Sequence, residues 1–226
     1  MMTVHKTTSG DDYPVERIFC VGRNYEAHVR EMGKDPNREA PFFFTKWAET
    51  LVNAGPEDEA QIVYPSRTEN YHHEIELVVA ISKDGFKISV DDAQSYIWGY
   101  AVGLDMTRRD LQLAAREKGR PWDTGKNVVQ SCPVGRLAPV SETGLLVNGE
   151  ISLTVNDKMV QESDVDMLIW NVNEIISDLS HYYALRAGDI IFTGTPAGVG
   201  AILPGDVLKG NVKGLPPLEV TIGPKQ

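Results

Sequence analysis

The sequence predicts a β-rich α+β domain with a few short helices. Short apolar, β-branched runs recur at 17–21, 77–81, 97–104 and 189–193, with Gly, Pro, Asn-Gly and Asn-Asp turns between them. Apolar residues at helical spacing occupy only short windows, near 107–118 and 167–179.

At 226 residues the chain is long enough for one sizeable core, so a single domain over 17–226 is expected after a polar tail, 1–16. Its 42% hydrophobic and 24% charged content is that of an ordinary globular protein. A net charge of -10 argues against nucleic acid or an anionic membrane as partner. An anionic substrate must then be held by local Arg, Lys or metal. The first residues have no apolar core segment, so no signal peptide is expected, and no run is long enough to span a bilayer. Cys20 and Cys132 fit reduced thiols, and a cytoplasmic location is the expectation.

In chain order, Arg17 to Val21 reads as a strand ended by Gly22. Asn24 can cap a short helix over 25–32, on which His28 and Glu31, three apart, share a face. A His held by a carboxylate is an oriented general base, and so polar a helix after a glycine suits an active-site lid. The Pro41-Phe42-Phe43-Phe44 run is expected in the core, and 51–66, with its prolines and acids, as an exposed loop or hairpin. A helix over about 107–118 should bury Leu111, Ala114 and Ala115, and the following loop carries Lys126. Residues 145–160 read as a hairpin or meander, 167–179 as a helix with a core Met/Trp stripe, and 189–193 as a buried strand entering a glycine-rich loop, 194–200. Its glycines let backbone amides approach a ligand oxygen.

The stretch His73 to Ile81 organises the site. Alternation along a strand points Glu74 and Glu76 the same way, and a third acid, Asp105, ends the buried run 97–104. Neighbouring carboxylates at a buried strand end repel unless a cation lies between them. The other reading is a solvated edge strand. A three-carboxylate set without Cys or His at ligand spacing favours Mg²⁺ or Mn²⁺, with Ca²⁺ possible, over Zn²⁺. Such an ion leaves positions open for a 2-oxo acid, whose enolate it would stabilise.

Taken in order, Val21-Gly22-Arg23-Asn24-Tyr25 with His28 and Glu31, His73-Glu74-Ile75-Glu76-Leu77, 103–110, 120–126 and 193–200 resemble the fumarylacetoacetate hydrolase family, nearly from end to end. The resemblance implies the family's β-rich roll, usually homodimeric, with the metal on Glu74, Glu76 and Asp105. It implies His28 and Glu31 as the water-activating pair, Lys126 and Gln112 as carbonyl polarisers, and Gly194 and Thr195 as binders of the substrate carboxylate. Arg23, Tyr25, Lys46 and Arg109 are weaker substrate-binding assignments. The implied activity is metal-dependent hydrolysis of a C–C bond in a small 2,4-diketo acid. 3-Fumarylpyruvate, cleaved to fumarate and pyruvate in gentisate-type aromatic degradation, is the leading substrate, and Arg108 or Arg120 is the hypothesised partner of its distal carboxylate. Acetylpyruvate hydrolysis and oxaloacetate decarboxylation are the alternatives on the same site; hydratase or isomerase chemistry, or metal binding without catalysis, ranks below them.

Overall fold

The computed structural model describes residues 3–31 and 38–226. Its largest sheet runs, in spatial order, Phe42–Lys46, Arg17–Gly22, Asp189–Phe192, Ile75–Ile81, Ile97–Leu104, Cys132–Val134 and Leu51–Asn53, with Ala138–Pro139 also pairing with Ile97–Leu104. A five-stranded sheet, Lys158–Asp164, Glu150–Val155, Val207–Val212, Leu218–Lys225 and Gln61–Tyr64, packs on it. A three-stranded ribbon joins Thr107–Arg108, Tyr71–His73 and Gly200–Ala201. The fold is thus mixed and strand-rich, with short helices.

Ile75–Ile81 is buried along its whole length because both faces are covered. Ile75, Leu77, Val79 and Ile81 enter the larger core with Ile151, Leu153, Leu208 and Val220 of the second sheet. Val78 and Ala80 enter a second core with Ile18, Cys20, Ile190 and Phe192. By the same alternation Glu76 lies on the Val78 face, as its position in the sequence requires.

Residues 3–15 are not a tail. Thr3–Lys6 and Asp12–Val15 form an antiparallel hairpin, and its residues His5, Tyr13 and Val15 are buried. Alternate apolar side chains and a His too isolated to register as core carry this docking. The 51–66 stretch likewise holds two strands, Leu51–Asn53 and Gln61–Tyr64, each paired in parallel with a partner distant in sequence. Such pairings leave no local mark.

The Phe42–Lys46 strand forms, but Phe42, Phe43 and Phe44 are only half-buried because it is the sheet's edge. The Arg109–Glu117 helix buries Arg109, Gln112 and Ala115, leaving Leu111 half-buried and Ala114 exposed. The later helix begins at Val172, where Asn171 and Glu174 form a reciprocal cap, so Met167 falls outside it and is 58% exposed. That residue is not core. Asn156 and Asp157, both with positive φ (51° and 62°), make the tight turn between Glu150–Val155 and Lys158–Asp164.

Candidate active site

Register builds the acidic cluster. Ile75 lies opposite Leu104 and Glu76 opposite Gly103, so the residues just before and just after these strands, Glu74 and Asp105, meet. The Asp105 amide donates to the Glu74 carbonyl at 2.9 Å. A carboxylate oxygen from each of Glu74, Glu76 and Asp105 lies within 4.8 Å of the others, and all three residues are buried.

The chain supplies part of the compensating charge. Lys126 donates to Glu74 Oε2 at 2.8 Å, to Asp105 Oδ2 at 2.5 Å and to Thr107 Oγ1 at 2.8 Å. Lys46 donates to Asp105 Oδ1 at 2.9 Å, and Arg109 pairs with Glu74. Burial alone would raise the Glu74 carboxyl, but Lys126 and Arg109 outweigh it and hold it below the carboxylate range. Burial opposes the Lys126 charge as well; Asp105 and Glu74 prevail, pushing it up to about 12.

Glu76 is different. Its contact is the Gly194 amide at 2.7 Å, and burial, with Asp105 and Glu74 beside it, pushes its carboxyl well above the usual range. A buried carboxylate with no side-chain cation among the described residues, next to two further oxygen donors, is what a hard divalent ion would complete. The donor spread also suits oxygen ligands at 2.0–2.6 Å from one ion. The residues therefore fit a divalent metal.

The cleft over this cluster, about 40 Å³, is walled by His28, Gln112, Arg109, Arg23, Trp122 and Thr195 among others. His28 is 6% exposed, and its Nδ1 lies 3.3 Å from Glu31 Oε2. Burial lowers the His28 pKa, opposed by Glu74 and Glu31, so the neutral imidazole is favoured near neutrality. The Gly198 amide holds Glu31 in turn, at 3.2 Å to each oxygen.

Several expected roles meet a different geometry. Lys126 has all three hydrogens engaged in the acidic cluster, so Gln112, whose Oε1 accepts from Arg109, is the freer amide donor facing the cleft. Lys46 lies beneath Asp105, away from the cleft lining. The Gly194 amide is spent on Glu76 rather than on a ligand; its φ of +104° and the 2.7 Å a Cβ would leave to Asn24 require glycine there. Tyr25 is fully buried, and its hydroxyl has no partner among the described residues. Arg108 reaches the Thr124 carbonyl at 3.4 Å, and Arg120 lines a neighbouring depression with Phe42 and Trp122, so neither joins the cleft wall. Of the expected lid helix 25–32, Glu26–Glu31 is helical and residue 32 lies outside the described residues.

Arg116 and Gln161 carry no role in the sequence reading, and Trp122 enters it only as part of the 120–126 motif. Arg116 and Trp122 line the cleft. Gln161, buried in the second sheet, donates to Thr195 Oγ1 and Pro196 O and accepts from the Ile75 amide, clamping the glycine-rich loop to the Glu74 strand. Arg116, seven positions after Arg109 on one helix face, left a readable signal. Gln161 left none.

Hard oxygen donors at a sheet end, with a carboxylate-held His over them, define a metal-assisted enzyme site on a strand-rich roll. The chain belongs to the fumarylacetoacetate hydrolase family: residues 17–223 match its C-terminal domain. It is 52% identical to a fumarylpyruvate hydrolase of Ralstonia sp over 193 residues, 85% of this chain and 97% of that protein. The fumarylpyruvate hydrolase of Pseudomonas aeruginosa, solved in complex with Mn²⁺ and pyruvate, superposes with a TM-score of 0.96 at 49% identity, covering 98% of this chain and 96% of that one. A mitochondrial oxaloacetate tautomerase of Caenorhabditis elegans is 38% identical over 85% of this chain and 88% of its own.

Proposed function

We propose that the protein hydrolyses 3-fumarylpyruvate to fumarate and pyruvate, as a step of gentisate-type aromatic degradation. The observation that carries this reading is the convergence of Glu74, Glu76 and Asp105 in one cleft with His28, whose Nδ1 pairs with Glu31. The identity to fumarylpyruvate hydrolases over most of the chain supports the substrate.

Glu74, Glu76 and Asp105 would hold the ion, Mg²⁺ in our reading with Mn²⁺ or Ca²⁺ as substitutes. When bound, it supplies Lewis acidity toward the keto acid end of the substrate and disperses the charge left when the C–C bond breaks. The remaining work falls to the chain. His28, with Nδ1 turned to Glu31, keeps Nε2 to take a proton from water, and Glu31 stabilises the resulting imidazolium. The water oxygen bonds to the C4 carbonyl carbon, the C3–C4 bond breaks, and its electron pair stays on C3. The proton held by His28 returns to C3, giving pyruvate beside fumarate. Gln112 donates to the attacked carbonyl, joined by Lys126 where it leaves its carboxylates, and Arg109 and Thr195 hold the substrate.

Pyruvate release from a panel of acylpyruvates, with Mg²⁺ and with EDTA, tests the reading. Metal-dependent release fastest from fumarylpyruvate is expected; no release from any acylpyruvate by the metal-loaded protein rejects it. Oxaloacetate chemistry is the second reading, favoured by the tautomerase and decarboxylase names of relatives at 37–38% identity. Faster turnover of oxaloacetate than of every acylpyruvate would select it.

We also infer a cytoplasmic homodimer. Buried, unpaired Cys20 and Cys132 suit a reducing compartment, and exposed Leu145, Val147 and Met167 offer apolar surface to a second copy. Light scattering at micromolar concentration checks the assembly.

A further inference from the structure

We propose that Arg23 and Arg116 together form the subsite for the carboxylate at the acyl end of the substrate, and so set the preference for a diacid over a neutral acylpyruvate. This rests on the acylpyruvate reading above. Both arginines line the same cleft as the acidic cluster and both are half-buried. The other cations of that cleft are already committed, Lys126 to Glu74 and Asp105 and Arg109 to Glu74. Among the described residues, Arg23 and Arg116 form no ion pair with any carboxylate. Two cations that line one cleft without a carboxylate partner among the described residues, in a protein of net charge -10, call for an anion from outside.

The placement has the right span. Arg109, Gln112 and Arg116 lie at i, i+3 and i+7 on the Arg109–Glu117 helix, hence along one face. At 1.5 Å per residue, Arg116 stands about 10 Å along the axis from the arginine that grips Glu74. An extended seven-carbon diacid reaches roughly 8 Å at ordinary C–C bond lengths, so a molecule whose keto acid end sits at the cluster brings its far carboxylate to Arg116.

Arg23 lines the same cleft from another element. It follows the end of the Arg17–Gly22 strand with φ +60°, a left-handed conformation that a side chain-bearing residue adopts at a cost, and its guanidinium stacks over the Phe42 ring at 5.3 Å. Strain of this kind persists where the position of the side chain matters. Burial, and then the Arg116 charge, lower the Arg23 pKa, with Glu39 opposing them. That repulsion would be relieved by a bridging carboxylate, and paired guanidiniums match its geometry.

The test compares Arg116→Gln, Arg116→Lys and Arg23→Gln with the parent protein on fumarylpyruvate and acetylpyruvate, Mg²⁺ present. Loss of one charged hydrogen-bond partner should lower kcat/KM for fumarylpyruvate about 10–100-fold, and its ratio to that for acetylpyruvate at least about tenfold, with Arg116→Lys recovering part of the ratio. An unchanged ratio in both Gln variants overturns the proposal. A second measurement is independent of turnover: Trp122 lines the cleft, so its fluorescence can follow titration with fumarate and with crotonate, which lacks the second carboxylate. Fumarate should bind better than crotonate, and each Gln substitution should erase the difference; equal binding of the two acids by the parent protein overturns the subsite. Failure of all acylpyruvates to turn over, with the fumarate preference intact, would sink the hydrolase reading and leave the anion subsite standing.

Discussion

Lys126 Nζ lies 2.5 Å from Asp105 Oδ2, inside a cluster whose third acid, Glu76, receives no side-chain cation among the described residues. A lysine so placed competes with a divalent ion for the same oxygens, which gives its removal two opposite effects.

Lys126→Met should weaken the metal-free fold by roughly 3–5 kcal/mol, since Glu74 and Asp105 lose a buried partner. The same change should tighten Mn²⁺ binding, because one positive charge leaves the site. Thermal unfolding with and without Mn²⁺, alongside calorimetric titration of the ion, reads both. Weaker Mn²⁺ binding would contradict the competition.

Glu76→Gln should act the other way. Burial and the charges of Asp105 and Glu74 disfavour an ionised Glu76, so a neutral amide there should raise, or leave unchanged, the melting temperature of the metal-free protein. Mn²⁺ affinity and hydrolysis should both fall to background. Retained turnover would refute the role of Glu76 as a ligand.

His28→Asn should cut hydrolysis about 10²–10⁴-fold. Because burial lowers the His28 pKa, the acid limb of kcat/KM should lie below the ordinary histidine value. Glu31 acts against that lowering, so Glu31→Gln should move the limb to still lower pH while reducing the plateau. A limb that moves upward in Glu31→Gln would exclude His28 as the titrating base.

His5 offers a stability prediction remote from the site. It is 1% exposed, its Nε2 lies 2.6 Å from the Gly135 carbonyl, and its Nδ1 has no partner among the described residues to receive a second proton. Burial, opposed by the Gly135 hydrogen bond, lowers its pKa from 6.5 to about 4. A histidine lowered on folding keeps its full contribution above its unfolded pKa and loses it as pH falls toward the folded one. About 3 kcal/mol should therefore disappear between pH 6.5 and 4. His5→Gln, which retains a donor for Gly135, should flatten that slope in urea titrations at each pH.

The sequence exposed the site more fully than the fold around it. Glu74, Glu76 and Asp105 could be found because they interrupt or end apolar runs, where a charge is anomalous. His28 and Glu31 could be paired because helical spacing is local. What a residue's hydrogens are spent on is not local: Lys126 reads as a loop lysine until Thr107 and two acids are seen around it, and the Gly194 amide reads as free until Glu76 takes it. The parallel partners of Leu51–Asn53 and Gln61–Tyr64 lie far along the chain, so locally those strands look like loop. An alternating hairpin with few apolar residues, such as the one over the first residues, resembles a polar tail, and the half-buried Phe42–Lys46 strand shows that three consecutive phenylalanines can still mark an edge.

The pairing of Ile75 with Leu104 makes the geometry of the three acids a property of sheet alignment. The connection between those two strands, 82–96, can therefore change length by insertion or deletion without disturbing the acids. A single residue gained or lost within either strand would not be so forgiving, because sliding one strand past the other carries Asp105 away from Glu74 and turns a neighbouring aliphatic side chain toward the acidic cluster. Homologous engineering that seeks new substrates should redraw the outer walls and leave this alignment untouched.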